Sequence, residues 1–450
     1  MSTEPSAWVV PSDAAIRAIL VERIDVWRRG VGMVVGVIEA SGRRVVGHGE
    51  MGIGDGRAPG GDTLFEIGSI TKAFTSLLLA EMAARGEVAI DDPVSKHLPA
   101  GVAMPARGGR HITLIDLATH TSGLPRMDTG GARYESAQIL GEYTVDQLYR
   151  FLSDYRLTRD IGERFEYSNL GAGLLGHVLA LRAGVDFETL VRQRVTDPLG
   201  MTSTTIAVSP AHAARLATGH DLGRKPVTGF YVPALAGAGA LRSTANDMLT
   251  FLAAELGHRE TPLAAAMAAQ IAPRRPGPSQ GIETALGWRI RTTPTGEVVC
   301  HGGGTPGQLS YLGFDRPRGV GVVVLTNCAA SNDRDNIGRH LLFGEQLWSD
   351  RPSIELSSDV LERYVGRYAL TPRTGLAITR DGGRLFAQRL IEGLKRPRPI
   401  LETFPVSKTC FFWKVVSSEI TFEMGSDGSV TALELRQESG VTRGRRVFKP

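Results

Sequence analysis

The chain has 450 residues, of which 42% are hydrophobic and 22% are charged, and its formal net charge is +4. This length exceeds what one hydrophobic core usually organises, so we expect a globular enzyme with two folding units. No apolar run approaches the roughly 20 residues of a membrane-spanning helix, so we expect no membrane association.

The first elements in chain order are two strands followed by a long helix. The N-terminal 20 residues do not show a basic start followed by a long apolar stretch, which argues against a secretory signal. Gly32–Ile53 alternates in the manner of two strands joined by a Ser-Gly turn. A polar loop leads to IGSITKAFTSLLLAEMAARG, which predicts a helix ending at Gly86. Because this helix is apolar on nearly every side, we expect it to be buried against a sheet.

The middle of the chain predicts helices, and strands return after it. Between Asp92 and Arg275 helical segments alternate with Gly- and Pro-rich loops, and Ala172–Leu181 and Thr244–Leu256 are the clearest helices. Thr284–Thr326 contains four strand-like segments, LGWRI, EVVCHGG, QLSYLGF and GVGVVVLTN. Strands at both ends with helices between them predict an α/β domain: one antiparallel sheet flanked by helices, with an all-helical subdomain.

A second unit is expected near the C-terminus. After a helix over IGRHLLFGEQLW, the Pro-, Ser- and Asp-containing stretch Ser349–Ser358 leads into short alternating strands with glycine turns. We therefore predict a larger first domain over residues 1–350 and a small antiparallel β-barrel over residues 356–450. Residues 356–450 carry 16 Lys and Arg against 10 Asp and Glu, scattered through strand patterns. This arrangement favours a solvated strand face over a nucleic-acid site, so we expect no nucleic-acid partner.

The cysteines, and the lack of nucleotide-binding or metal-binding motifs, further limit the class of protein. Cys300, Cys328 and Cys410 are odd in number and far apart, which favours free thiols in a reducing compartment and hence a cytoplasmic location. No phosphate-binding glycine motif occurs between a strand and a helix, and the histidines do not gather at metal-ligand spacing. His120 is expected to have a structural role in its turn. We expect neither a cofactor nor a metal ion.

The strongest chemical motif is Ser69-Ile70-Thr71-Lys72, at the start of the buried helix. Residues three apart lie on one helical face, so the Lys72 amine is expected to approach the Ser69 hydroxyl. A serine becomes a good nucleophile when a nearby group accepts its proton, and a buried lysine with a lowered pKa can do so. A serine that merely caps a helix is the alternative, but a lysine on an otherwise apolar helix favours a chemical role.

Two further elements supply groups that such a nucleophile needs. Tyr167-Ser168-Asn169 precedes a predicted helix: the phenol of Tyr167 can relay protons, and the amide of Asn169 can hold a lysine or a substrate carbonyl. His301 and the glycines that follow it, Gly302, Gly303 and Gly304, lie on a predicted strand that can accept an extended acyl substrate. Taken singly, a capped helix with a core tyrosine and a β-bulge with a surface histidine remain alternative interpretations.

In this order the three elements resemble the motifs of the serine β-lactamase and penicillin-binding-protein superfamily. Within it, the chain is similar to the branch of class C β-lactamases, family VIII carboxylesterases and D-aminopeptidases, whose second element is Y-x-N and whose third is often H-x-G. The likeness covers residues 14–348 and extends to the segments LATHTSGLP, DPLGM, GALRSTANDMLTF and HGGGTPG. The C-terminal unit resembles the lipocalin-like barrel of some relatives, which implies that it narrows the catalytic cleft.

The resemblance implies a role for each matching residue. Ser69 would be acylated, Lys72 and Tyr167 would share the proton transfers, and Asn169 would orient Lys72 and the substrate. The backbone N–H groups of Ser69 and Gly304 would form the oxyanion hole, with His301 and Gly303 lining the site at its edge. Which of the two bases takes the first proton stays open.

The predicted function is a serine hydrolase that forms an acyl-enzyme with small ester or amide substrates, short D-aminoacyl peptides among them. β-Lactam hydrolysis ranks lower, because the family's K-T-G lysine, which meets a penicillin carboxylate, is replaced here by His301. A non-catalytic sensor with the same scaffold is the third hypothesis. The sequence leaves the oligomeric state open, a homo-oligomer included.

Overall fold

The structure is a computed structural model and describes residues 8–128, 141–230, 232–293, 296–330, 334–348, 351–393, 397–416, 418–437 and 440–447. It divides into two compact units, residues 1–344 and residues 345–450. Across the described residues, no single helix is long and apolar enough to cross a membrane, although one pair bent by 79°, Asn169–Ala183 with Phe187–Leu199, meets the length and composition criteria together.

The first unit combines one large antiparallel sheet with helices on both faces. Its strands are β1 (Gly32–Glu39), β2 (Gly42–Gly49), β3 (Phe65–Glu66), β4 (Ala106–Arg107), β5 (Arg110–His111), β6 (Arg242–Ser243), β7 (Arg275–Pro276), β8 (Ile282–Thr284), β9 (Arg289–Thr293), β10 (Gly296–Gly304), β11 (Leu309–Asp315) and β12 (Val320–Thr326). Its α-helices are α1 (Asp13–Val21), α2 (Thr71–Ala84), α3 (Leu114–Ala118), α4 (Val145–Asp154), α5 (Asn169–Ala183), α6 (Phe187–Val191), α7 (Asp197–Leu199), α8 (Pro210–Ala213), α9 (Ala245–Glu255), α10 (Ala264–Ile271) and α11 (Arg334–Phe343).

The large sheet is built from both ends of the unit. Its strand order is β2-β1-β12-β11-β10-β9-β8-β7, and β1 pairs with β12 so that Met33 lies opposite Thr326. β11 and β12 are buried along their whole length, which explains the apolar run of residues 322–325 in β12. The predicted architecture, an antiparallel sheet flanked by helices and continued from the two ends of the domain, is therefore confirmed.

Helix α2 is buried on all sides, as its sequence predicts: every residue from Thr71 to Met82 is inaccessible or nearly so. The α-helix proper, however, begins two residues after Ser69. Gly68–Ile70 forms a 3₁₀ turn, and its first residue, Gly68, adopts a φ of +50°, a value that glycine tolerates best. Ser69 thus lies on a tight turn that leads into the helix.

The last helix of the first unit, α11, is shorter than the sequence pattern suggested. It ends at Phe343, and Gly344 follows with a φ of +75°. A glycine in this conformation is the usual terminator of an α-helix, so the predicted extension to Trp348 was wrong.

The second unit is a closed barrel of eight antiparallel strands, preceded by the short helix α12 (Ser358–Glu362). Its strands are β13 (Gly366–Thr371), β14 (Thr374–Asp381), β15 (Arg384–Ile391), β16 (Ile400–Pro405), β17 (Cys410–Phe412), β18 (Ser418–Met424), β19 (Val430–Gln437) and β20 (Gly440–Val447). β13 pairs with β20 and closes the barrel, so no edge in this sheet is left open. The predicted all-β barrel is confirmed.

Candidate functional site

The turn that carries Ser69 lies directly against the end of strand β10. A side chain on Gly68 would place its Cβ 2.6 Å from the backbone nitrogen of Gly304, and one on Gly303 would lie 2.0 Å from the carbonyl oxygen of Ile67. Ser310 on β11 donates a hydrogen bond of 2.8 Å to the same Ile67 oxygen. The glycines on both segments are therefore what allows the two backbones to approach. Ser69 itself is partly accessible.

Lys72 lies one turn after Ser69, and its side chain is only 2% exposed. Its Nζ lies 3.0 Å from the Ser69 Oγ, 2.9 Å from the Asn169 Oδ1 and 2.6 Å from the carbonyl oxygen of Ala238. The amide and carbonyl oxygens can only accept, so they take two N–H groups. What points at Ser69 is then a third N–H when Lys72 is charged, or the nitrogen lone pair when it is neutral.

Burial lowers the pKa of Lys72, because a charged ammonium is poorly solvated at this position. Tyr167 acts against this effect, whereas the positive charges of Arg126 and Arg289 reinforce it. The pKa of Lys72 is lowered overall, which favours the neutral amine facing Ser69.

Tyr167 reaches the same point from the loop before helix α5. Its ring centroid lies 4.9 Å from the Lys72 Nζ. Burial raises the pKa of the phenol, but the charge and hydrogen bond of Lys72, the hydrogen bond of Ser69 and the charge of Arg289 outweigh it and lower the pKa overall. The structure thus brings Ser69, Lys72 and Tyr167 together. The spacing predicts the approach of the first two, and the family resemblance implied the third.

The Tyr-Ser-Asn segment is held by its own helix and by His120. Ser168 caps α5 by accepting a hydrogen bond from Gly171 N at 2.8 Å, which leaves the side chain of Asn169, the first residue of the helix, free to bind Lys72. The Ser168 backbone N–H donates to the His120 Nδ1 at 3.1 Å, and the His120 ring packs on Tyr167 with centroids 4.5 Å apart. The structural role expected of His120 therefore includes direct support of Tyr167.

His301 lies on β10 and faces the phenol, with ring centroids 6.4 Å apart. Its Nδ1 donates to the Gly302 carbonyl oxygen at 2.8 Å, so Nε2 carries a lone pair. Burial, followed by the charges of Arg289 and Lys72, holds the pKa of His301 well below its usual value. The imidazole is therefore neutral at pH 7.

The segment of β10 beyond Cys300 has one open edge. Among the described residues, the pairing of β10 with β9 ends at Cys300 opposite Arg289, whereas its pairing with β11 continues to Gly304. An unpaired strand edge can hydrogen-bond an extended acyl chain. The roles assigned to Gly303, Gly304 and the Ser69 N–H in binding the substrate and its oxyanion stay predictions.

Two arginines at this site were not found by the sequence analysis. The guanidinium carbon of Arg126 lies 5.0 Å from the Tyr167 ring centroid, and that of Arg289 lies 5.9 Å from it. Arg126 is exposed, and its carbonyl oxygen accepts hydrogen bonds from the backbone N–H groups of Asn169 and Leu170. Two sequence features could have pointed to these arginines. Arg126 ends the motif S-G-L-P-R, and Arg289 lies twelve residues before His301.

Other residues weighed from the sequence lie outside the reacting group. Trp288 and Tyr311, whose aromatic side chains could line such a site, are 1% and 2% exposed, respectively, and belong to the core. Among the described residues, no three His, Cys, Asp or Glu side chains are grouped as metal ligands would be.

Comparison with known proteins places the two units in two families. Residues 20–345 match the family model described as Beta-lactamase, and residues 350–446 match a domain of unknown function, DUF3471. The D-alanyl-D-alanine-carboxypeptidase/endopeptidase AmpH of Escherichia coli (strain K12) is 31% identical over 309 residues, which are 65% of this chain and 78% of that protein.

Solved structures agree with this placement. A β-lactamase/D-alanine carboxypeptidase from Yersinia pestis, solved with citrate, is 27% identical with a TM-score of 0.63, over 73% of this chain and 98% of that one. The octameric penicillin-binding protein homologue from Pyrococcus abyssi shares the fold over 96% of this chain and 100% of that one, with a TM-score of 0.66 at 20% identity. The chain belongs to the Beta-lactamase family and is a serine hydrolase of the acyl-enzyme type.

Proposed function

We propose that this enzyme hydrolyses small amide or ester substrates that carry a carboxylate close to the scissile bond, with peptides ending in D-alanine as the leading class. The observation that carries the proposal is the convergence of a partly accessible serine, a buried lysine and a phenol of lowered pKa between two guanidinium groups.

In the acylation step, the Ser69 Oγ attacks the substrate carbonyl carbon, and its proton moves to the Lys72 and Tyr167 pair. The geometry supports both routes. The Lys72 Nζ lies 3.0 Å from Oγ and 4.9 Å from the centroid of the Tyr167 ring, and both Lys72 and Ser69 lower the pKa of the phenol. The same pair then returns the proton to the leaving amine or alcohol as the bond to it breaks. Water hydrolyses the acyl-enzyme in a second, matching step.

The oxyanion formed on the substrate carbonyl is proposed to bind between the backbone N–H groups of Ser69 and Gly304. The close approach of the Gly68 turn to Gly304 supports this pair, because it brings both backbone donors to one place. The open edge of β10 would hold the acyl chain beside them.

The carboxylate preference rests on Arg126 and Arg289. The sequence analysis ranked β-lactams low because the neutral His301 replaces a family lysine. In the structure, however, two guanidinium groups supply positive charge within 5.0 and 5.9 Å of the Tyr167 ring. A carboxylate paired with an arginine makes charge-assisted hydrogen bonds, which are about twice as strong as neutral ones. The Escherichia coli relative at 31% identity is named for cleaving D-alanyl-D-alanine, whose terminal residue has such a carboxylate.

β-Lactam hydrolysis is the second candidate, and the same two arginines favour it, since a β-lactam antibiotic also presents a carboxylate beside its reactive amide. Nitrocefin distinguishes the two. Fast turnover supports a β-lactamase, whereas acylation without turnover supports the peptidase or esterase. A carboxylesterase activity on neutral esters, the cytoplasmic location and a homo-oligomeric state stay predictions.

The test uses matched substrates. N-acetyl-D-alanyl-D-alanine and its C-terminal amide differ only in the charge of the terminal group, and we expect kcat/KM at least about tenfold higher for the acid. Ser69→Ala and Lys72→Met should abolish turnover of both, with a loss of about 10²–10⁴-fold for removal of the proton acceptor. Arg289→Gln should reduce the preference for the acid when the two substrates are compared at the pH optimum of the variant.

Equal rates on acid and amide in the wild type would remove the carboxylate proposal but leave the acyl-enzyme chemistry in place. If a fluorophosphonate probe does not label Ser69 in the folded protein, then the non-catalytic sensor becomes the better hypothesis.

A further inference from the structure

We propose that the C-terminal barrel has its own binding site for a small organic anion with an apolar body. The site is an open cavity of about 480 Å³ at one end of strands β13, β14 and β15, bordered also by Pro397 and Arg398. This volume lies within the range of roughly 300–1,000 Å³ that is usual for small-molecule pockets.

The cavity exists because the middle strand of the three carries little side chain there. Gly375 on β14 lies opposite Ala369 on β13 and Leu390 on β15. A Cβ at Gly375 would lie 2.6 Å from the Tyr368 carbonyl oxygen, so a larger residue is excluded by the backbone itself. The side chains of β13 and β15 therefore border a depression over Gly375 of β14, where no side chain fills the space.

The rim of the cavity is strongly basic. Among the described residues of the lining are four arginines, Arg367, Arg373, Arg389 and Arg398, and one acid, Glu392. Arg373 is paired with Glu392 only at 4.0 Å, and both side chains are more than 70% exposed, so this ion pair neutralises little.

Arg367 and Arg398 are the charges most available to a ligand. Both are exposed, and neither forms an ion pair within the described part of the barrel. The position of Arg398 is set by its backbone, since its carbonyl oxygen accepts a 2.7 Å hydrogen bond from the Gln388 Nε2. Like charges gathered around one concavity repel each other, and a bound anion removes that repulsion.

The rest of the lining is largely apolar and includes Ala369, Pro372, Leu390, Pro397 and Val447. Val447 is 51% exposed, which leaves apolar area available for burial by a ligand. An apolar lining with a cationic rim matches an amphiphilic anion better than a fully hydrated one such as inorganic phosphate.

Ser69 of the full-length protein is first blocked with a fluorophosphonate. The blocked protein is then titrated with 1-anilinonaphthalene-8-sulfonate, and binding is measured from the fluorescence of this probe. N-phenyl-1-naphthylamine serves as the neutral analogue. We expect one saturable site that prefers the sulfonate and is weakened about tenfold or more in Arg367→Gln/Arg398→Gln. A second variant, Ala369→Glu, should abolish binding by placing an acid in the cavity.

Arg436→Gln on β19 is the matched control, since Arg436 is exposed and lies outside the lining. It should bind the probe as the wild type does, and the circular dichroism of all variants should show an intact barrel. Equal binding of the neutral analogue, equal weakening by Arg436→Gln, or unchanged binding in the double variant would each overturn the proposal.

Discussion

Replacement of Gly303 by alanine tests the geometry on which the whole site depends. The added Cβ would lie 2.0 Å from the Ile67 carbonyl oxygen and 2.2 Å from the Ser310 Oγ. The hydroxyl can rotate away, but the Ile67 oxygen belongs to the backbone two residues before Ser69. Strand β10 and the nucleophile turn must therefore separate.

The required separation is large on the scale of catalysis. A carbon and an oxygen that do not bond need at least about 3 Å, so the two backbones must move apart by about 1 Å. Overpacking of this kind costs about 1–3 kcal/mol of stability. A misplacement of about 1 Å at a reacting centre can cost about 10²-fold in rate. We therefore expect Gly303→Ala to fold with a modestly lowered Tm and to lose about 10²-fold in kcat/KM.

The neighbouring glycines provide matched controls. A Cβ on Gly302 would meet the Asp335 Oδ1 at 2.9 Å and one on Gly304 would meet the Leu309 Cδ2 at 3.1 Å, and both are side-chain atoms that can move. Gly302→Ala and Gly304→Ala should thus keep most of the activity. The assay is hydrolysis of a p-nitrophenyl ester with fluorophosphonate labelling of Ser69 and a thermal melt. Near-wild-type rates for Gly303→Ala, or equal losses in all three variants, would refute the reasoning.

Three further predictions concern the positive charge of Arg289, the packing of His120 against Tyr167, and the buried carboxyl group of Glu255. Arg289→Gln removes a positive charge that lowers the pKa of Tyr167, so the acidic limb of the pH profile of kcat/KM should move to higher pH, whereas Arg289→Lys should leave it nearly in place. His120→Ala leaves the buried Ser168 N–H without its acceptor, so we expect a loss of about 1–3 kcal/mol in the free energy of unfolding and a lower kcat. Burial raises the pKa of Glu255 to about 8, so the folded state binds a proton that the unfolded state releases above its usual value of 4.5. Stability should therefore decrease as pH rises from about 5 to 8, and Glu255→Gln should flatten that dependence in urea unfolding.

Each of these three predictions would be contradicted by a specific result. An unchanged acidic limb in Arg289→Gln would mean that this arginine does not act on the phenol. Wild-type stability and rate in His120→Ala would remove the support assigned to that ring. A wild-type unfolding free energy that rises between pH 5 and 8, measured against Glu255→Gln, would show that the carboxyl is ionised in the folded protein.

Much of the site was predictable because its groups are spaced locally along the chain. Ser69 and Lys72 are three residues apart at the start of an apolar helix, and a helix of any origin brings them together. Tyr167 and Asn169 precede a helix with a clear cap, and the glycines after His301 mark a strand that another backbone approaches. The joining of these three motifs came from the resemblance to a family.

What could not be predicted depends on neighbours distant in the chain. Arg126 and Arg289 read as ordinary loop and strand residues, because nothing in their local pattern shows that they meet at one phenol. The basic cavity of the barrel is similar, since its arginines are spread over residues 367–398 and converge only when three strands pair.

The order of the residues thus determined the pairing of Ser69 with Lys72 and the two-unit organisation, since short spacings, turns and periodicity act within a few residues of chain. The tertiary structure decided the ionisation of the site. The directions of the pKa shifts of Lys72, Tyr167 and His301 follow from burial and from charges that long-range packing brings to the site.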